Sequence, residues 1–176
     1  MLAKIFIAMV VVITAILVYA ASRPDTFHVE RSAIFKAAPD KVFSQINDFH
    51  NWHAWSTWER MDPAMKKTHS GAASGVGAKY GWQGNSKVDQ GSMEITESLP
   101  NSKVKVRLDF LKPMEAHNIG EFTITTEGEG ARLNWAMYGP APFISKLFGV
   151  FVNMDNMIGK DFEDSLHNLK QVVEKK

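Results

Sequence analysis

The sequence predicts an α+β fold in which a curved antiparallel sheet of six or seven strands wraps around a long C-terminal helix, after an N-terminal transmembrane helix. Three observations support this prediction. An uncharged apolar run occupies Ile5 to Ala21. Apolar and polar residues alternate with a period of two from about Lys66 to Tyr138. An apolar stripe at helical spacing then runs from Ile144 to Val173.

The composition limits the classes of function. The chain has 176 residues, 45% hydrophobic and 22% charged, which suits one globular domain with an appendage. Its formal net charge is +1, and no local cluster of lysine and arginine offers a surface to nucleic acid, so we expect no nucleic-acid partner. The chain has no cysteine, which excludes disulfides, thiolate nucleophiles and thiolate metal sites.

Residues 1–22 are predicted to form a membrane anchor, joined by a linker at 23–26 to a domain at 27–176. The uncharged run of about 17 residues spans about 26 Å as a helix, near the lower limit for crossing a bilayer. A secretory signal peptide cut near Ala20 is the alternative. The run is longer than a usual signal-peptide core, so we favour an uncleaved single-pass anchor. The flanking positive charges are nearly balanced, and we prefer the domain on the non-cytoplasmic side.

A first strand from Phe27 to Ala37 leads into a short helix that begins near Pro39. Three tryptophans at three-residue intervals follow this helix: Trp52, Trp55 and Trp58. Their rings are large and costly to leave in water, so a short helical turn would aim them at the interior. They form either the lid or floor of an apolar interior that holds a ligand, or a core plug without a ligand.

Strand signals then recur at short intervals, each with apolar residues on one face. The inward positions are Val76, Ala78, Tyr80 and Trp82; Met93, Ile95 and Leu99; Val104, Val106, Leu108 and Phe110; Phe122 and Ile124; and Leu133, Trp135 and Met137. Glycine, proline and asparagine separate these segments, and Pro113 ends the strand that carries Phe110. Alternating segments with short turns predict antiparallel strands.

One long helix is predicted from Ile144 to about Val173, interrupted by Gly149 and Gly159. Such glycines mark either close packing on the sheet or the approach of a ligand. A sheet around a helix does not close tightly along its length, so an internal cavity is the expected by-product. The residues we expect to line it and bind ligand are Trp52, Trp55, Tyr80, Trp82, Phe110, Trp135, Met137, Phe148 and Phe151.

Several motifs resemble the SRPBCC (START-like) superfamily, and within it the polyketide cyclase/dehydrase and lipid-transport group. They are Ala-Pro-Asp-Lys-Val-Phe at 38–43, Asp48-Phe49 with the tryptophans, Gly75-Val76-Gly77-Ala78 with Tyr80 and Trp82, MEITESLP at 93–100, Leu108 to Pro113, and Gly149 to Phe162. The resemblance covers about Phe27 to Lys176. It implies a helix-grip fold with an internal pocket for an apolar small molecule, and it implies no particular reaction.

The sequence shows no catalytic constellation, and we expect no metal and no cofactor. His50 and His53, close to Asp48, make at most part of a metal site because no third ligand is implied. Glu94 and Glu121 lie on strands with the parity of solvent-facing residues.

Two functions from different classes remain open. The first is a membrane-tethered carrier or sensor that binds a lipid, isoprenoid or polyketide-like molecule. The second is a cyclase- or dehydrase-type enzyme that uses the same cavity, which a buried titratable group with a strongly shifted pKa would favour. A third possibility is a scaffold with a collapsed cavity that binds a protein partner.

Overall fold

A computed structural model of the chain describes residues 1–112 and 114–175. Pro113 and Lys176 lie outside the described residues, and with them the predicted strand end at Pro113 and the last position of the predicted domain. The helices are α1 (Leu2–Ser22), α2 (Pro39–Ile46), α3 (Trp58–Met61), α4 (Phe143–Phe151) and α5 (Met154–Val173), with a 3₁₀ turn at Phe49–Ala54. The strands are β1 (Thr26–Phe35), β2 (Lys66–Gly71), β3 (Ala78–Gln83), β4 (Gln90–Leu99), β5 (Lys103–Lys112), β6 (Ala116–Glu127) and β7 (Gly130–Pro140).

The seven strands form one antiparallel sheet in the order β1-β7-β6-β5-β4-β3-β2. Consecutive strands from β2 to β7 are neighbours, which short turns permit, and β1 closes the other edge against β7. The predicted α+β architecture of a sheet around a C-terminal helix is therefore confirmed. Register places the start of β1 and the end of β7 at the same end of the sheet, since Thr26 pairs with Pro140.

The C-terminal segment forms two helices, so the single helix predicted from Ile144 to Val173 is wrong. Val152 is extended, and Asn153 then caps α5 by accepting a 3.0 Å hydrogen bond from the backbone N–H of Asn156. A side-chain cap satisfies backbone donors that a continuous helix would have bonded itself, so it favours a new start at this point. The helical spacing of apolar residues continues across Val152 and Asn153 because α4 and α5 each carry apolar residues at that spacing.

Helix α5 fills the concave face of the sheet and is tied to β1 by Arg31. Its guanidinium donates to Glu163 at 2.7 Å and to the carboxylate of Asp155 at 3.1 Å. A Cβ on Gly159 would lie 1.9 Å from an Arg31 nitrogen, so this glycine gives the guanidinium access to the helix. The close approach anticipated at Gly159 is thus made by a side chain.

The tryptophan segment is fixed to α2 by its own indole groups. Trp52 donates to the carbonyl of Ile46 at 3.0 Å, and Trp55 donates to the carbonyl of Gln45 at 3.2 Å. Asp48 caps the 3₁₀ turn by accepting from the backbone N–H of His50 at 2.9 Å. The rings are therefore held against the sheet, as a short helical turn predicts.

Helix α1 is long and apolar enough to cross a membrane, and it is almost entirely exposed. A signal sequence near the N-terminus has the same character. Among the other elements, α4 makes the most extensive contact with α1.

Candidate functional site

Four of the predicted lining residues lie in a packed aromatic core: Trp52, Trp55, Trp135 and Met137, all less than 9% exposed. The Trp135 ring stacks on Phe162 of α5, with centroids 3.9 Å apart and planes 7° from parallel. The Phe122 ring also stacks on the Trp135 ring, with centroids 4.9 Å apart. At this depth the rings of the three tryptophans contact one another instead of bordering an open cavity, and the binding of a ligand by these four residues stays a prediction. Apolar rings fill the space because they gain more from mutual contact than from leaving a void.

Nearer one end of the sheet, the inner face is only half-buried. We call this region the apolar rim, formed by four residues: Trp82, Met93, Leu108 and Phe110. Strand β3 ends here, β4 begins here and β5 ends here, and this is the end of the sheet at which β1 follows α1. The predicted residues Trp82 and Phe110 thus lie at this end of the sheet, where the inner face is half-buried.

Trp82 is held in place at the rim. Its indole donates a 2.8 Å hydrogen bond to the carbonyl of Val88, and its ring meets Phe110 edge-on at 5.8 Å. Gly91 lies beneath the ring, where a Cβ would come within 2.4 Å of it. The glycine therefore permits the indole to lie flat over β4.

The row behind Trp82 crosses four strands and has polar groups at both ends. Register pairs Tyr80 with Met93, Met93 with Leu108, and Leu108 with Asn118. Tyr80 and Asn118 are 5% and 7% exposed. An apolar strip bounded by a phenol and an amide suits a mostly apolar molecule with a few polar groups.

The Tyr80 hydroxyl donates to the carboxylate of Glu59 on α3, which also pairs with the ammonium of Lys67. The Glu59 side chain is 7% exposed. Burial, and then the bond to Glu59, raise the pKa of Tyr80 well above its usual value. Tyr80 therefore stays neutral, and its oxygen retains lone-pair capacity toward a ligand.

Two of these residues, Glu59 and Asn118, were not among those predicted to bind ligand. Asn118 shares its parity with the inward residues Phe122 and Ile124, and that signal was sufficient to place it on the inner face. Glu59 follows Trp58 in a helix of one turn, and no spacing marks it as inward-facing.

Phe148 and Phe151 lie outside the sheet's concave face. They belong to α4, where they are 53% and 71% exposed, and α4 packs beside α1. Their predicted place in the lining of the internal cavity is wrong, because the break before α5 turns α4 away from the sheet.

The histidines near the tryptophan segment form hydrogen bonds and stacking contacts with neighbouring surface residues. His50 bonds to Asp48 at 2.7 Å through Nδ1 and stacks on His69 at 4.2 Å, while His53 bonds to a backbone carbonyl. Burial and the neighbouring His50 lower the pKa of His69. Within residues 1–112 and 114–175, no group of three or more metal-ligating acidic, histidine or cysteine side chains comes together.

The two glutamates with outward parity lie on the outer face. Glu121 pairs with Lys105 at 3.3 Å and accepts a 3.0 Å bond from Tyr138, and Glu94 pairs with Arg107. A groove of about 260 Å³ on the outer face is bordered by Glu94 and Arg107. These charges are matched to one another and lie across the sheet from the rim.

Seven antiparallel strands around a C-terminal helix define a helix-grip protein of the START-like class. The chain belongs to the family described as polyketide cyclase/dehydrase and lipid transport, whose model matches residues 26–174. No curated protein sequence matches the chain.

Solved structures agree on the fold. A protein from Chromobacterium violaceum has a TM-score of 0.61 at 16% identity, over 88% of this chain and all of that one. The Aha1 dimer from Colwellia psychrerythraea has a TM-score of 0.58 at 16% identity, over 84% of this chain and 96% of that one. The di-domain ARO/CYC StfQ of the steffimycin biosynthetic pathway has a TM-score of 0.62 at 12% identity, over 85% of this chain and 51% of that one. At these identities the likeness establishes the fold alone.

Proposed function

We propose that this protein is a membrane-tethered domain that binds an apolar small molecule, such as a lipid, isoprenoid or polyketide-like compound, as a carrier or sensor. The observation that supports this most is the apolar rim. Its residues stay half-exposed on the inner face, whereas the same face is fully packed deeper in the fold. A half-exposed apolar surface of this kind is where an apolar ligand gains most from binding.

The energetics suit an apolar ligand. Burial of apolar surface contributes about 25 cal/mol per Å², so about 300 Å² of buried ligand surface contributes about 7.5 kcal/mol before the costs of association. The ligand's apolar body would lie on Met93 and Leu108. Its polar group would meet the Tyr80 oxygen or the Asn118 amide, which fixes orientation rather than strength.

The membrane would supply the apolar ligand. A tether by α1 holds the rim near the bilayer, because both lie at the end of the sheet where β1 begins. The anchor is uncleaved in this proposal and the domain lies on the non-cytoplasmic side. The intact mass of the membrane-extracted protein tests the first point. Labelling of a single cysteine at Val76 by an impermeant maleimide on intact cells tests the second.

A cyclase- or dehydrase-type enzyme is the second candidate, and Tyr80 is the observation that favours it. The Tyr80 hydroxyl has a strongly raised pKa and bonds to a buried carboxylate, as acid–base groups in enzymes often do. We rank this reading second because the hydroxyl proton is already committed to Glu59. A family that includes carriers and enzymes accommodates either function.

The test is recovery of apolar compounds from the purified full-length chain by solvent extraction and mass spectrometry. Phe110→Gln changes the rim, whereas the matched control Leu99→Gln changes an apolar residue, 49% exposed, at the far end of β4. We expect the wild type and the control to carry a stoichiometric compound and Phe110→Gln to lose most of it. Equal recovery from all three would contradict binding at the rim.

A further inference from the structure

Helix α4 exposes apolar side chains and buries its charged one, which is the reverse of the usual pattern for a helix in water. Its exposed residues are all apolar: Phe143, Ile144, Phe148 and Phe151, at 46%, 53%, 53% and 71%. Its one charged side chain, Lys146, is only 9% exposed. A surface helix normally turns its charge outward and its apolar stripe inward. The reversal indicates that the surroundings of α4 are apolar.

The position of α4 identifies those surroundings. Lys146 is turned toward the start of the domain, where it pairs with Asp25, and the backbone N–H of Ala141 donates to the Asp25 carbonyl at 2.7 Å. Helix α4 packs beside α1, and Ala20, in the last turns of α1, is fully buried. The helix is therefore fixed next to the domain-proximal end of α1.

That end of α1 carries the residues that mark a membrane surface. Tyr19 is 53% exposed, and Arg23 lies over its ring at 5.8 Å and donates to its hydroxyl at 3.2 Å. Tyrosine and arginine at the end of an apolar helix typically lie at the level of the lipid headgroups. Because the Lys146–Asp25 ion pair holds α4 next to this end of α1, α4 lies at about the same depth as Tyr19.

We propose that α4 is an interfacial helix whose apolar face, Ile144, Phe148 and Phe151, lies among the lipids of the leaflet where α1 ends. This inference rests on the proposed tethering by α1. Residues of this kind bind the boundary between headgroups and acyl chains by burying apolar area. Leu111, next to last in β5, and Met114, between β5 and β6, are 49% and 55% exposed and lie at the same end of the sheet. The apolar rim would therefore face the bilayer at a fixed height.

The absence of cysteine from the sequence permits a direct depth measurement with single-cysteine variants of the full chain. Phe148→Cys reports on α4 and Val11→Cys on the middle of α1. Val76→Cys is the matched control, since Val76 is 60% exposed but lies before β3 at the opposite end of the sheet. Each variant carries a nitrobenzoxadiazole label and is reconstituted into phosphatidylcholine vesicles with or without brominated acyl chains. All three side chains are exposed, so labelling removes little packing.

We expect the labels at Phe148 and Val11 to lose emission in brominated vesicles and the label at Val76 to keep it. Quenching at Val11 without quenching at Phe148 would overturn the interfacial helix while leaving the tether intact. No quenching at either position would overturn the tether and the helix together. The purified chain in lipid contains no other protein, so quenching at Phe148 has the bilayer as its cause.

Discussion

Replacement of Trp135 by alanine tests the packing of the interior. Trp135 is 5% exposed and has rings of Phe122, Trp55 and Phe162 within 6 Å of its centroid. A buried aromatic side chain removes about 150–250 Å² from water, which at about 25 cal/mol per Å² is about 4–6 kcal/mol. Substitutions of this kind cost about 3–5 kcal/mol, because neighbours relax only partly into the space. We therefore expect a loss of about 3–5 kcal/mol.

The assay is urea unfolding of the full chain in a mild detergent, followed by near-ultraviolet circular dichroism. Trp82→Ala is the control, because Trp82 is half-buried at the rim and should cost clearly less. The two variants remove the same atoms from different depths, and Trp82→Ala also removes the indole hydrogen bond to Val88, so a larger loss for Trp135→Ala reflects its tighter packing. A loss below about 1.5 kcal/mol for Trp135→Ala would refute the packed core, since such a small penalty means that the ring already borders empty space.

Other predictions concern single contacts. Gly91→Ala should destabilise by about 1–3 kcal/mol, because the added Cβ would lie 2.4 Å from Trp82. Gly120→Ala is its control: the nearest atoms are 3.9 Å away, so urea midpoints should show no loss. Arg31 lowers the pKa of Asp155, so this carboxylate stabilises the fold above about pH 4, and less as the pH falls. In the Asp155→Asn variant, the thermal unfolding midpoint should therefore fall less steeply below pH 4 than in the wild type. The same slope in both proteins would contradict this prediction.

The strands were predictable because a strand with one buried face alternates apolar and polar residues, and this period of two is visible in the sequence. Val104, Val106, Leu108 and Phe110 alternate with charged residues, and the structure puts all four on the inner face of β5. Their depth was not predictable from that pattern. Val104 is fully buried and Phe110 lies at the rim, because coverage by α3 and α5 depends on contacts distant in sequence.

The C-terminal helices show the opposite case. Hydrophobic spacing runs through Val152 and Asn153, so it cannot reveal that the chain changes direction there. Phe148 was therefore assigned to the interior, although its helix contacts α1. An apolar face directed at lipid and one directed at a core have the same sequence pattern, and only the position of Lys146 and Asp25 distinguishes them.

Native mass spectrometry of the full chain, released from lipid nanodiscs, tests the central claim most directly. The claim is that the protein binds one apolar small molecule and does not transform it. We predict a one-to-one complex whose ligand mass is the same after prolonged incubation and after extraction. A chain that carries no ligand would contradict binding, and a ligand whose mass changes on incubation would contradict carriage and favour the enzyme.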